Sequence, residues 1–566
     1  MAEVVSLSGI GVCAGVAAGP LLRIGDVPAL PPLSTIAHGE KGAAEKGAAR
    51  TADVEAEVAR AAAALATVVA DLEARADRAT DATVAEVLRA EAMMAGDEAL
   101  LDGVRELVEE GQDAPHAVDG AFRTFRESFE AAGGYLAERV TDLDDLRNRA
   151  VAVLLGQPMP GIPQPGHPFV LAAKDLAPAD TADLDPAQVL ALVTEVGGPT
   201  SHTAILARAL GLPAVVSCPG VLAIAESTLV LVDGATGRVD AGIDQDAAEA
   251  AVRGAAEVAA AAAALTGPGQ TSDGYGVKLL ANVGSAKNVP AADEVHAEGV
   301  GLFRTELLFL DRTREPGLDE QVEAYREVFS AMEGRRVVIR TLDAGADKPL
   351  PFLNQEGEPN PALGVRGLRI ARQRPDVLTT QLAAIAEARA QTGADVWVMA
   401  PMVSTITEAA TFAAAVREAG LPRAGVMIEV PAAALRARDL LGVVDFLSIG
   451  TNDLSQYTFA ADRMCGALAD LLDPWQPALL QLIGICGEVG RAAGKPVGVC
   501  GEAAADAALA PILVGLGVTS LSMSPRAVPA VRAALAGVTE ADCRRLAELA
   551  VAAPDAAAAR KVVIGG

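Results

Sequence analysis

Glu429 lies inside the apolar run Gly425-Val426-Met427-Ile428-Glu429-Val430-Pro431, and Asp453 follows a second run in Ser448-Ile449-Gly450-Thr451-Asn452-Asp453. A carboxylate at the tip of a buried strand is costly unless it is paired. Either one alone could cap a helix or pair with an arginine. Two on neighbouring strands suit a hard cation, because magnesium takes one or two carboxylates and fills its other positions with water and substrate oxygens. Arg304, Arg340 and Arg463 are the guanidinium groups expected around that cation. Arginine binds phosphate and carboxylate through two parallel hydrogen bonds, so a substrate carrying both groups would suit the cluster. Asp343 stands close in sequence to Lys348, a candidate supporting ion pair. Cys500, in Val497-Gly498-Val499-Cys500-Gly501-Glu502, has glycines on both sides at a strand tip. A thiol there can exchange a proton with a carbanion or enolate, although many cysteines are simply buried and inert.

The fifth chemical group is His202, in Gly197-Gly198-Pro199-Thr200-Ser201-His202-Thr203-Ala204-Ile205-Leu206-Ala207-Arg208-Ala209-Leu210. Gly-Gly-Pro turns the chain, Thr200 or Ser201 can cap a helix, and Gly211-Leu212-Pro213 stops it. His202 then falls in the first helical turn. The helix dipole there disfavours the imidazolium and keeps a neutral, nucleophilic ring. The free N–H groups of the same turn stabilise a phosphoryl group placed on it. The other four histidines, His38, His116, His167 and His296, have no comparable surroundings.

The elements that must carry these residues read as follows. Strand-like runs recur at Val277–Val283, Gly299–Phe303, Arg336–Leu342, Val396–Met402, Gly425–Glu429, Asp445–Ile449, Pro496–Cys500 and Ser520–Met523. Eight such runs separated by helical segments are what a (β/α)8 barrel of the TIM type needs, and its chemistry gathers at the C-terminal ends of the strands. Arg304, Arg340, Glu429, Asn452, Asp453, Cys500, Ser522 and Ser524 all fall at that end. Residues 270–566 are therefore expected to form the barrel. Residues 1–26 and 150–240 carry shorter strand-like runs and read as one α/β domain holding His202. Residues 27–149 are rich in Ala, Glu and Arg and read as an inserted all-helical domain. Residues 241–269 read as a linker helix, Ala247 to Leu265, ending in a Gly267-Pro268-Gly269 hinge.

A hydrophobic fraction of 51% over 566 residues supplies several cores, and with aromatics at only 3% these must be built from Ala, Val and Leu. A formal net charge of -28 opposes nucleic acid and anionic lipid and favours basic partners. The six cysteines form no CxxC pair or Cys/His cluster, which argues against zinc and fits a reducing cytosol. No run is long and apolar enough to cross a membrane, and the N-terminus lacks the features of a signal peptide.

Taken together, these residues resemble the phosphoenolpyruvate–protein phosphotransferases, enzyme I of the sugar phosphotransferase system. The strings Gly-Gly-Pro-Thr-Ser-His-Thr-Ala-Ile-Leu-Ala-Arg, Gly-Leu-Phe-Arg-Thr-Glu-Leu-Leu-Phe-Leu, Asp-Lys-Pro-Leu-Pro and Ser-Ile-Gly-Thr-Asn-Asp-Leu-Ser-Gln-Tyr are similar to that family's signature segments, and the likeness covers nearly the whole chain. The resemblance implies a swivelling phosphohistidine domain in which His202 is modified on Nε2. It implies that Arg304, Arg340, Asn452, Asp453 and Arg463 hold phosphoenolpyruvate, that Glu429 and Asp453 bind Mg2+, and that Cys500 protonates C3 of the enolate as pyruvate forms. It further implies that the helical insertion docks the phosphocarrier protein HPr, that the barrel forms a homodimer, and that the enzyme is cytoplasmic. Pro199 stands where family members often carry a basic residue, which removes a charge contact from that position. No HPr-like or sensory segment is fused, which favours the stand-alone sugar-transport form. A pyruvate phosphate dikinase relative would need a nucleotide-grasping domain, and no segment reads as one. A non-catalytic phosphoenolpyruvate sensor would have no need of Cys500 or His202.

Overall fold

A computed structural model of the chain describes residues 4–24, 29–32, 43–78, 82–132, 139–157, 159–163, 165–176, 184–198, 201–310, 312, 314–345, 350, 352–353, 358–463 and 465–564. The chain divides into two compact units, residues 1–255 and 256–566.

The first unit holds a sheet of eight strands: β1 (Val5–Ser8), β2 (Ile10–Cys13), β3 (Val16–Arg23), β4 (Phe169–Ala173), β5 (Val189–Thr194), β6 (Ala214–Val216), β7 (Leu229–Asp233) and β8 (Arg238–Ala241), in the order β1-β8-β7-β3-β4-β5-β6-β2. β3 to β6 run parallel. A parallel segment must be covered on both faces, and its strands then read as continuous apolar runs. β4 is such a run: Phe169, Leu171 and Ala173 enter one core while Val170 and Ala172 enter another.

Among the described residues five helices lie between β3 and β4 in sequence: α1 (Ala43–Arg78), α2 (Ala82–Ala95), α3 (Glu98–Glu109), α4 (Ala114–Ala132) and α5 (Val140–Leu154). They share a separate core around Val68, Leu72, Leu88, Val104, Phe122 and Leu146. After β5 comes α6 (His202–Leu210), and after β8 comes α7 (Gln245–Ala264). The long helix expected from Ala247 to Leu265 is therefore present, starting two residues earlier.

The second unit is a closed, all-parallel barrel of β9 (Lys278–Val283), β10 (Gly299–Arg304), β11 (Arg336–Arg340), β12 (Asp395–Ala400), β13 (Ala424–Ile428), β14 (Phe446–Ile449), β15 (Val497–Val499) and β16 (Ser520–Met523), with β16 pairing back onto β9. All eight strands read from the sequence are there, in order. Side chains alternate along each strand. Leu302, Val338, Trp397, Met399, Met427, Phe446 and Cys500 fill the interior, while Val337, Ile339, Val396 and Val398 face the surrounding helices. That alternation fixes which polar residues look into the barrel: Arg340 shares its face with Val338, and Glu429 shares its face with Met427.

Candidate active site

Arg304, Arg340, Asp343, Glu429, Asp453 and Arg463 all lie at or just past the C-terminal ends of the barrel strands. Arg304 ends β10 and is open to solvent. Among the described residues it has no hydrogen bond or ion pair. Desolvation of its guanidinium head among the strand-end side chains, together with the like charge of Arg340, lowers its pKa from the ordinary arginine value. Such a guanidinium lacks only an anion.

Arg340 ends β11 and is buried. It pairs with Glu306, and its Nη1 lies 3.0 Å from Asp343 Oδ2. Thr305 Oγ1 donates to the Arg340 carbonyl at 3.0 Å. Asp343 is fully buried, and its observed partners are Arg340 and Arg366, with Arg366 Nε 3.3 Å away. Lys348, the partner the sequence suggested for Asp343, lies outside the described residues, as do Ala346 to Pro349. Asp343 comes three residues after Arg340, the last residue of β11, which brings the two side chains together.

Arg366 went unnoticed in the sequence. It has no exposed surface and bridges two carboxylates: Asp343, and Asp453 Oδ1 at 3.3 Å from its Nη1. Its Nη1 also donates to Tyr457 Oη at 3.4 Å. Arg463 approaches the same Asp453 oxygen at 3.5 Å from the other side chain. Its backbone N–H donates to Gln456 Oε1 at 3.0 Å, which pins the loop to the helix Thr451–Phe459. A continuous line of alternating charge results: Arg340, Asp343, Arg366, Asp453, Arg463.

Glu429 is fully buried directly after β13. Its Oε1 accepts the Met402 N–H, but Oε2 has no hydrogen-bond partner. Burial, with the carboxylates of Asp343 and Asp453, pushes its pKa up. A buried, unpaired carboxylate oxygen facing a second carboxylate is the signature of a cation position. Among the described residues no set of three His, Cys, Asp or Glu side chains converges here or elsewhere. Glu429 and Asp453 are hard oxygen donors, a type that suits magnesium sharing its shell with water and substrate better than it suits zinc.

Cys500 follows β15, buried among Met427, Trp397 and Phe446. Burial raises its thiol pKa. Its carbonyl accepts from Asn282 Nδ2 at 3.2 Å, and Asn282 Oδ1 accepts from Ser522 Oγ at 2.6 Å. Ser522 thus acts through Asn282, a residue with no strand-end motif to mark it; Ser524 is exposed. The next residue must be glycine: a Cβ at Gly501 would stand 2.0 Å from Thr451 Oγ1. Asn452 Oδ1 accepts the Glu502 N–H at 3.1 Å, tying the β14 and β15 loops together.

In the first unit, His202 is the first residue of α6. Ser201, rather than Thr200, provides the cap, its Oγ accepting the Ala204 N–H at 3.3 Å. Gly197 at φ +102° makes the preceding turn, and Gly211 at φ +71° closes the helix. Thr203 Oγ1 donates to Asp175 Oδ1 at 3.1 Å and Arg208 Nε to the Val12 carbonyl at 2.9 Å, fixing the helix to its sheet. Pro199, Thr200 and the His202 side chain lie outside the described residues.

The three parts of the chain match three family models: "PEP-utilising enzyme, N-terminal" over residues 8–139, "PEP-utilising enzyme, mobile domain" over 165–237, and "PEP-utilising enzyme, PEP-binding domain" over 258–540. The chain is 54% identical over 557 residues to the phosphoenolpyruvate-protein phosphotransferase of Streptomyces coelicolor, covering 98% of each chain. It is 42% identical to that of Haloferax volcanii, covering 82% of this chain and 84% of that one. Against the enzyme of Bacillus sp. (strain S) the identity is 38%, covering 89% and 91%. With these three models in sequence order and a 54% identical relative matched over 98% of both chains, the chain belongs to the phosphoenolpyruvate–protein phosphotransferase family.

Proposed function

We propose that this enzyme moves the phosphoryl group of phosphoenolpyruvate onto His202 Nε2 and then onto a histidine of HPr, releasing pyruvate as the first step of sugar uptake by the phosphotransferase system. The observation that carries the reading is the unpaired guanidinium of Arg304 beside the buried line Arg340–Asp343–Arg366–Asp453–Arg463 and the unsatisfied Glu429 oxygen. Arg304, Arg340 and Arg463 bind the phosphate and carboxylate of the substrate, and Asn452 and Asp453 complete its pocket. Glu429 and Asp453 hold Mg2+, which supplies charge neutralisation at the substrate oxygens when bound.

The chemistry needs positioning and charge neutralisation more than covalent help. The neutral Nε2 of His202 attacks phosphorus as the bond from phosphorus to the enolate oxygen breaks. The Cys500 Sγ proton passes to C3 of the enolate, giving pyruvate, and the thiolate recovers its proton from solvent. A thiol kept neutral by burial is suited to that task. The N-terminal turn of α6 then stabilises the phosphoryl group on His202.

His202 must serve two partners, the barrel and HPr. Residues 241–269 are the proposed linker, with α7 followed by Gly267 at φ +97° and Pro268 as the hinge. Residues 1–26 and 150–240 form the proposed phosphohistidine domain, and the 27–149 helices dock HPr, the acidic chain favouring a basic docking surface. The 270–566 barrel is the homodimerisation unit, and the enzyme works in the cytoplasm; no helix among the described residues is long and apolar enough to cross a membrane.

Incubation with radiolabelled phosphoenolpyruvate and Mg2+, without nucleotide, is expected to give an acid-labile, base-stable label that moves to added HPr. Labelling that requires ATP would overturn the reading in favour of a dikinase.

A further inference from the structure

The alternation that turns Arg340 and Glu429 towards the catalytic mouth places a second set of cations at the other mouth. Arg336 begins β11 on the same face as Val338 and Arg340, and Arg423 precedes β13 on the same face as Met427 and Glu429. Both guanidinium groups sit on Trp397, their carbons 3.8 Å and 5.2 Å from its ring centre. Laid end to end, those distances leave the two carbons no more than 9.0 Å apart. A phosphate gripped by two guanidinium forks separates their carbons by roughly 8 Å.

The neighbouring carboxylates are committed elsewhere. Glu298 pairs with Lys278 at 2.6 Å, and Asp395 Oδ2 accepts the Trp397 Nε1–H at 2.9 Å. Among the described residues neither Arg336 nor Arg423 has an ion pair or a hydrogen-bond acceptor. Stacking on the indole occupies one face of a guanidinium and leaves its N–H edges open. Burial lowers the Arg336 pKa, with Arg423 adding to the effect and Asp395 and Glu298 opposing it. Two like charges thus stand together, without a direct ion pair among the described residues, in a chain whose net charge is -28. Behind Arg336, Trp397 and Phe446 lies a cavity of about 20 Å³, room for one water and too small for a phosphate, which places a bound anion at the mouth.

We propose that the N-terminal mouth of the barrel is a second anion site, in which Arg336 and Arg423, seated on Trp397, clamp a phosphoryl-bearing small molecule or free phosphate. It lies four residues down β11 from Arg340, or about 13 Å, and so is separate from the phosphoenolpyruvate pocket. The site rests on the barrel's geometry alone and stands or falls independently of the reaction assigned above.

Trp397 is its own reporter. Inorganic phosphate added to the full-length enzyme at constant ionic strength is expected to change tryptophan emission saturably. Arg423→Gln should weaken that response about tenfold or more, Arg423→Lys should weaken it less, and both should keep wild-type phosphoryl transfer to HPr. Glycerol 3-phosphate acting at lower concentration than phosphate would assign the site to phosphate esters, and equal potency would assign it to the free ion. No saturable response, or the same response in wild type and Arg423→Gln, would overturn the proposal.

Discussion

Arg366 Nη1 stands 3.3 Å from Asp453 Oδ1, with both side chains buried, and its Nε stands 3.3 Å from Asp343 Oδ1. One arginine therefore orients a carboxylate proposed to bind metal and the carboxylate that orients Arg340. Removing one partner of such a buried set leaves uncompensated charge and costs about 3–5 kcal/mol. Arg366→Met is expected to lower the denaturant midpoint of the full chain accordingly and to slow labelling from phosphoenolpyruvate. Arg366→Lys should restore stability only in part, because a single ammonium cannot fork between two carboxylates. Wild-type stability in Arg366→Met would show that the line of charge is not structural.

Cys500 should tie the rate to a protonated thiol. Burial raises its pKa, so the proton is retained below the ordinary thiol value of about 8.5 and lost only above it. Pyruvate formation should therefore show no decline attributable to Cys500 up to that pH. Cys500→Ser should slow formation by roughly 10²–10⁴-fold while leaving transfer from phosphorylated His202 to HPr unchanged. Stopped-flow detection of pyruvate separates the two half-reactions.

Metal removal should divide the reaction in the same place. Glu429 and Asp453, the proposed metal ligands, both belong to the barrel. Chelation of Mg2+ is expected to slow labelling of His202 by roughly a hundredfold or more. Enzyme labelled beforehand should still pass its phosphoryl group to HPr after chelation. Equal sensitivity of both steps would argue against a barrel-only metal.

The helical insertion carries a pH dependence of its own. Glu91 is buried, neither of its oxygens has a hydrogen-bond partner, and burial with Asp142 and Asp145 raises its pKa from 4.5 to about 8. The folded state therefore holds a proton that the unfolded state releases above about 4.5. Its stabilising contribution is full below that value and is lost as pH rises to about 8. The span is on the order of 5 kcal/mol. Glu91→Gln should flatten the fall in stability between pH 5 and 8, read from urea midpoints. An unchanged slope in the variant would mean that Glu91 ionises normally.

The barrel was legible because each strand announces itself as a short apolar run, and because Arg304, Arg340, Glu429 and Cys500 fall at or just past strand ends. β8 was not: Arg238-Val239-Asp240-Ala241 has only four residues, two of them charged. It forms because β1 and β7 offer it hydrogen bonds on both sides. Arg366 was hidden for a different reason. It precedes a short helical turn, Gly367–Arg372, away from any strand end, and only the fold brings it between Asp343 and Asp453. Asn282 likewise gains meaning only from the closure of β16 onto β9, which sets it against Ser522 and the Cys500 carbonyl.

The central claim, that His202 receives the phosphoryl group and the barrel releases pyruvate in the same event, is tested most directly by single-turnover pyruvate release. Wild-type enzyme mixed with excess phosphoenolpyruvate and Mg2+, without HPr, should release one pyruvate for each chain and then stop. His202→Ala should bind phosphoenolpyruvate with unchanged affinity and release none. Stoichiometric pyruvate from His202→Ala would contradict the account, since the phosphoryl group would then have another acceptor.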